Sequence, residues 1–322
     1  MALRKITELM IKEAAEEAFE ECRNVSGGKN ADYIPFLANI PSDLYGLSIT
    51  LATGKTFDFG NTDYAFGVES ISKVFTALLV LREYGAVTLL EKIGADATGL
   101  PFNSIFALLL EKDHPSTPLV NAGAISACSM VKPAGDANQK WDAILSNFSQ
   151  LCASTPAVIE ELYKSESATN FNNRSISWLL KDYARIYDDP AMSLDLYTRQ
   201  CSIGITTRQL SVCGATISAG GYNPVSNRQV FDKDLSAKIT SLMATVGFYQ
   251  TTGDWMYTTG IPAKSGVGGG ILAVVPGSMG IAAFSPPLDD AGNSVKGQAV
   301  VKSLARRLGL GVFNTDPVIL EN

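Results

Sequence analysis

The stretch Phe66-Gly67-Val68-Glu69-Ser70-Ile71-Ser72-Lys73, running straight into Val74-Phe75-Thr76-Ala77-Leu78-Leu79-Val80-Leu81, decides how the rest of the chain is read. Between Val74 and Leu81 only Thr76 is polar, the texture of a helix buried nearly all round. If that helix begins near Ser70, then Ser70 and Lys73 lie on one face a turn apart, and a hydroxyl can meet an amine. A serine nucleophile needs such a proton acceptor. A helix N-terminus adds a positive dipole end and free backbone N–H groups beside a developing oxyanion. Ser72, next to the lysine, falls on the wrong face. A capping serine followed by a solvated lysine would spell the same four residues, but the apolar run behind them sets this lysine at the mouth of a buried helix.

The 322 residues are 46% hydrophobic, enough to bury the core of one large domain or of two interleaved lobes. Lysine and arginine number 26 against 32 acidic residues, a net charge of −6, with no basic block of the kind that tracks a phosphate backbone. Nucleic acid is thereby excluded as a partner. Glu8, Glu13, Glu16, Glu17, Glu20 and Glu21 crowd the first segment, where a secretory or mitochondrial signal would exclude them. A cytoplasmic location is expected, and no apolar run is long enough for a membrane span.

Cys22, Cys128, Cys152, Cys201 and Cys213 are scattered and never form C-x-x-C, so neither a disulfide framework nor a zinc site is expected. No metal and no cofactor are called for. The single histidine, His114, stands in Glu111-Lys112-Asp113-His114-Pro115-Ser116, and any Ser-His-Asp mechanism would have to run through it. So little histidine turns serine chemistry toward a lysine or tyrosine base.

Residues 4–23 carry a helical apolar stripe with glutamates opposite, ending near Gly27-Gly28. Residues 47–52 and 55–59 alternate around Thr53-Gly54 as a hairpin. From about Gly85 to Arg199 the texture is helical, broken by proline loops, with Ala122-Gly123-Ala124 as small as a close helix contact requires. A further helical block spans about Ser202 to Ala219, and another Phe231 to Val246. Strand texture returns at 270–275 and 280–284 around Pro276-Gly277-Ser278, and Gly297 to Leu308 is an amphipathic helix. These textures predict one sheet built from N- and C-terminal segments with a helical lobe between. The expected organisation is a single domain over 1–322, with an α/β lobe (about 1–84 and 220–322) and a helical lobe (about 85–219).

The second informative stretch is Ala263-Lys264-Ser265-Gly266-Val267-Gly268-Gly269-Gly270. As a phosphate loop it lacks the glycine before Lys-Ser and precedes a strand rather than a helix. As Lys-Ser-Gly beside a strand it matches the element that accompanies S-x-x-K in active-site serine acyltransferases.

With two such motifs in this order, the chain resembles the β-lactamase and penicillin-binding protein superfamily, an α/β (α+β) fold with an antiparallel sheet flanked by helices. Its finer wording resembles the serine-dependent glutaminases of the bacterial single-domain type. The motifs are Ser70-Ile71-Ser72-Lys73-Val74-Phe75, Pro118 to Ile125, Tyr197 to Ser202 and Pro262 to Gly270, and the resemblance runs from about Ala31 to Phe313. It implies hydrolysis of L-glutamine to L-glutamate and ammonia, with Ser70 as nucleophile, Lys73 as its proton partner, and Tyr249 as a second candidate base. It implies a substrate site of Tyr33, Ser70, Asn121, Glu166, Asn173, Tyr197, Tyr249 and Val267, and a homo-oligomer, dimer or tetramer. The family usually reads Arg-Asn where this chain has Asn172-Asn173, so Asn173 is placed by spacing.

The chemistry fits those roles. Free glutamine carries an α-ammonium, which suits Glu166, and an α-carboxylate, which suits Asn121, Asn173 and Tyr33. The N–H groups of Ser70 and Val267 would hold the oxyanion, and the charge of Lys264 would help lower the pKa of Lys73. The rival readings are a β-lactamase or peptidase, a catalytically silent amino-acid-binding protein and, third, a nucleotide-binding protein.

Overall fold

The computed structural model describes residues 4–110, 115–316 and 318–321, so His114 and its neighbours Glu111–Asp113 lie outside the described residues. A five-stranded antiparallel sheet runs in the order Thr56–Gly60, Gly46–Leu51, Met279–Phe284, Gly270–Val275, Ala263–Ser265. The chain's two ends meet at its centre, where Ile49 pairs with Ile281. Period-two alternation splits the sheet's side chains between two cores. Ile271, Ala273, Ile281 and Ala283 join Leu47, Ile49 and Leu51 under the terminal helices Glu8–Cys22 and Val295–Leu308. Leu272, Val274, Ala282 and Phe284 join the helical side. The terminal helices are clamped together by Arg307 with Glu17 and Glu21, and by Arg306 with Glu21.

The expected hairpins, the long buried helix and the C-terminal amphipathic helix are all present. The strand Gly46–Leu51 alternates apolar and polar residues yet is buried on both faces. Its polar side is matched by helix Thr207–Ser218: Ser48 and Thr50 meet the Ser211 hydroxyl at 2.9 and 2.7 Å. The block expected to be helical from Ser202 is split. Ile203–Ile205 is a short strand between Phe66–Gly67 and Ala157–Val158, and the helix starts at a Thr206–Gln209 capping box. Three residues are too few to show a period, yet this strand anchors the chain just ahead of Ser70 through Val68 N–H to the Ile203 carbonyl, 2.9 Å.

Helix Ser72–Lys92 is buried at every position from Ser72 to Leu81, and Gly85 breaks it at φ 80°. Its Phe75 and Leu78 pack with Val68, Ile125 and Phe148 in the larger core.

Helix Thr207–Ser218 reaches the sheet at Gly280, where an added Cβ would stand 2.2 Å from the Ala215 nitrogen. Gly280→Ala is expected to lower stability by about 1–3 kcal/mol in urea unfolding, the usual overpacking penalty. By contrast Gly253→Ala, with nothing within 4 Å and a helical position, should be neutral or stabilise by up to about 1 kcal/mol.

Candidate active site

Ser70 lies in a 3-10 turn, Glu69–Ile71, that leads directly into the long helix. Glu69 enters that turn at φ 49°, in the left-handed region that a non-glycine residue adopts only when its surroundings impose it. Lys73 is 1% exposed, and its Nζ donates to Ser70 Oγ at 2.6 Å and to Asn121 Oδ1 at 2.9 Å. Ser72 faces away, with its hydroxyl 3.7 Å from Cys201 Sγ. The rings of Phe102 and Tyr197 stand 5.7 and 5.6 Å from the ammonium.

Asn121 opens helix Asn121–Met130 and ties the lysine to the helical side. Its Oδ1 also accepts from Tyr197 OH at 3.1 Å, and its Nδ2 donates to Asn173 Oδ1 at 2.9 Å. Gly123 lets the loop before this helix lie against it, since a Cβ there would be 1.8 Å from the Thr117 carbonyl oxygen. Asn172 instead donates to the Asn103 carbonyl at 2.8 Å, so of the two neighbours Asn173 is the one joined to Asn121.

Tyr249 sits on a second 3-10 turn, Tyr249–Thr251, also at positive φ, 54°. Its phenol donates to the Ser265 carbonyl at 3.3 Å, and the Ser70 hydroxyl lies close enough to oppose the rise in its pKa. Lys264, on strand Ala263–Ser265, donates to the carbonyls of Ser265 at 2.7 Å and Gly247 at 3.1 Å. The turn after it, closed by Gly269 N–H to the Gly266 carbonyl at 3.0 Å, carries Val267. That turn packs on residues 67–69: a Cβ at Gly268 would lie 2.4 Å from the Gly67 carbonyl oxygen. Tyr33, 57% exposed, Phe102 and Val267 line a cleft of about 800 Å³.

Burial dominates the electrostatics. It brings the Lys73 amine down to about 8, against smaller opposing pulls from Cys201, Glu69 and Glu166. Burial, more than the charge of Lys264, drives that shift. Lys264 is itself pushed well below the ordinary lysine range, by burial first and then by the Lys73 charge. Desolvation raises the Tyr249 phenol well above 10. Tyr33 also rises, through desolvation of its phenol and then the charges of Glu69 and Glu166.

Glu166, on helix Glu160–Thr169, is close to that centre and touches a residue the sequence reading passed over. That residue is Glu69, 3% exposed and in carboxyl-to-carboxyl contact with Glu166. A charged side chain between Val68 and Ser70 in an otherwise buried stretch was the available signal. Phe102, which packs on Tyr249 at 4.5 Å between ring centroids, was missed as well and carried no polar signature.

The site therefore joins Ser70, Lys73, Tyr249 and Val267 to Asn121, Asn173, Tyr197 and Glu166, with Tyr33 at its rim. A sequence profile described as Glutaminase matches residues 28–313. The chain belongs to the glutaminase family. It is 66% identical over 311 residues to a glutaminase of Parabacteroides distasonis, covering 97% of each. It is 49% identical over 303 residues to glutaminase 1 of Escherichia coli O157:H7, covering 94% of this chain and 97% of that one. Among solved structures, the probable glutaminase ybaS superposes with a TM-score of 0.94 at 47% identity, over 96% of this chain and 100% of that one. A probable glutaminase from Bacillus subtilis complexed with 6-diazo-5-oxo-L-norleucine superposes with a TM-score of 0.83 at 28% identity, over 95% and 96%. The fold is accordingly the β-lactamase-like α/β architecture of bacterial glutaminases, its antiparallel sheet made from N- and C-terminal segments.

Asn121→Asp would place an anion within 2.9 Å of the Lys73 amine and raise its pKa, by about one unit or more. NMR titration of ¹³C-lysine-labelled protein should show this upward movement, and none would contradict the Lys73–Asn121 contact.

Proposed function

We propose that this glutaminase hydrolyses L-glutamine to L-glutamate and ammonia through an acyl-enzyme on Ser70. The observation that carries the reading is a buried amine about 8 in pKa, 2.6 Å from the Ser70 hydroxyl oxygen. Ser70 Oγ attacks the side-chain amide carbon while its proton passes to neutral Lys73. Tyr249 keeps its proton at neutral pH because burial raises its phenol, so it serves as the donor to the departing nitrogen rather than as the base. The amide C–N bond breaks, ammonia leaves, and water then attacks the ester to release glutamate. The N–H groups of Ser70 and Val267 hold the oxyanion, and losing one such donor adds about 2.7–4 kcal/mol to the barrier.

Glu166 takes the α-ammonium. Asn173 and Tyr33 face the α-carboxylate, and Asn121 positions both Lys73 and Asn173. The B. subtilis protein's complex with 6-diazo-5-oxo-L-norleucine, a glutamine-shaped electrophile, supports a nucleophile at this centre. Among the described residues no helix is long and apolar enough to cross a membrane. We place the chain in the cytoplasm as a homo-oligomer, a state that light scattering reads directly.

Ser70→Ala should reduce ammonia release from glutamine by about 10³-fold or more, and mass spectrometry should find 6-diazo-5-oxo-L-norleucine on Ser70 of the unmodified chain. Label on another residue would refute the nucleophile. Because the neutral amine is the reactive form, kcat/KM should rise with pH and level off above about 8. A rate that falls through that range would assign the base elsewhere.

A further inference from the structure

We propose that Glu69 and Glu166 act as one carboxyl pair that shares a single proton and so presents one negative charge to the substrate's α-ammonium. Glu69 is then a positioning residue that works through Glu166. This rests on the reading above that an amino acid with a free α-ammonium is the substrate.

The geometry is built around the pair. Glu69 is held at φ 49° one residue ahead of Ser70, and its side chain fills space left by two glycines. A Cβ at Gly67 would come within 3.3 Å of Glu69 Oε1, and one at Gly268 within 3.2 Å of its Cγ. The two carboxyls lie close enough to act on each other's ionisation, and among the described residues the buried Oε1 atom of each has no hydrogen-bond partner. Two carboxylates have only acceptors to offer each other, so their contact needs a proton between them. Burial favours the same outcome, raising both groups and Glu69 the more strongly.

The groups that face the pair cannot support two negative charges. They are Lys73 from the nucleophile helix, Tyr33 from the N-terminal loop, Tyr197 and Cys201 from helix Pro190–Cys201, and Tyr249 from its turn. Lys264, on the adjoining strand, is held toward its neutral form. One cation, Lys73, therefore stands against two acids. A pair that keeps one proton carries a single charge, which matches one ammonium, and it presents that charge over two side chains rather than one. Substrates with an acylated or missing α-amino group would leave this buried charge without a partner.

The test is an infrared difference spectrum of the unliganded full chain near pH 7. The C=O stretch of a protonated carboxyl is expected in the wild type and should be lost in both Glu69→Gln and Glu166→Gln. No such band in the wild type, or a band that survives both substitutions, overturns the proposal. In steady-state assays Glu69→Gln, which still donates a hydrogen bond to Glu166, should raise KM for glutamine a few-fold. Glu69→Leu should raise it about 30-fold or more, with the loss mainly in KM rather than kcat. Equal effects of Gln and Leu would overturn the shared-proton role, and the infrared arm decides alone if the Leu variant does not fold. Wild-type protein that releases no ammonia from glutamine would defeat the proposed function, while the spectrum would still decide the pair.

Discussion

A lysine with no access to water organises this molecule. Lys73 is 1% exposed and holds its amine on Ser70 and Asn121, and burial brings its pKa to about 8. An amine in that state is both poor at keeping its proton and destabilising for the fold, which is the usual trade at a catalytic centre. The surrounding structure compensates by enclosing it. The nucleophile helix is buried through its first ten residues, and Asn121, Phe102 and Tyr197 close over the amine from the helical side. The strand Ala263–Ser265 and its turn close over Ser70 from the sheet side.

The same enclosure sorts the ionisable groups. Low dielectric pushes amines down and phenols and carboxyls up, so the Lys73 amine falls while the Tyr249 phenol rises. Lys264, pushed down by burial as well, donates hydrogen bonds to two carbonyls, one of which also accepts from Tyr249. Backbone strain also falls at this place. Glu69 and Tyr249 both adopt positive φ beside Ser70, a conformation costing of order 1–3 kcal/mol at each non-glycine residue. Packing from the sheet, the long helix and the 266–269 turn holds that strain in place.

Much of this was legible before any coordinates. The apolar run after Lys73 declared a buried helix, and the three-residue offset declared which serine could meet the lysine. The alternations at 47–59 and 270–284 declared a sheet drawn from both ends of the chain, and the wording of four motifs pointed to the family. All five cysteines are buried. Local patterns succeed here because periodicity and side-chain offset are properties of neighbouring residues.

What only the tertiary structure decided depends on residues far apart in the chain. The strand Ile203–Ile205 is too short to show a period and exists because Phe66–Gly67 and Ala157–Val158 pair with it. The polar face of strand 46–51 is buried because Ser211 answers it. The contact between Glu69 and Glu166 joins positions on a turn and on a helix of the other part of the chain, and no local pattern announces it. Nor could the sequence say which lysine would yield its charge, because desolvation is set by everything packed around a group rather than by its neighbours in the chain. The sequence by itself determined the family and which serine meets the buried lysine. The folded chain decided the protonation state of each group, because burial is a property of the whole.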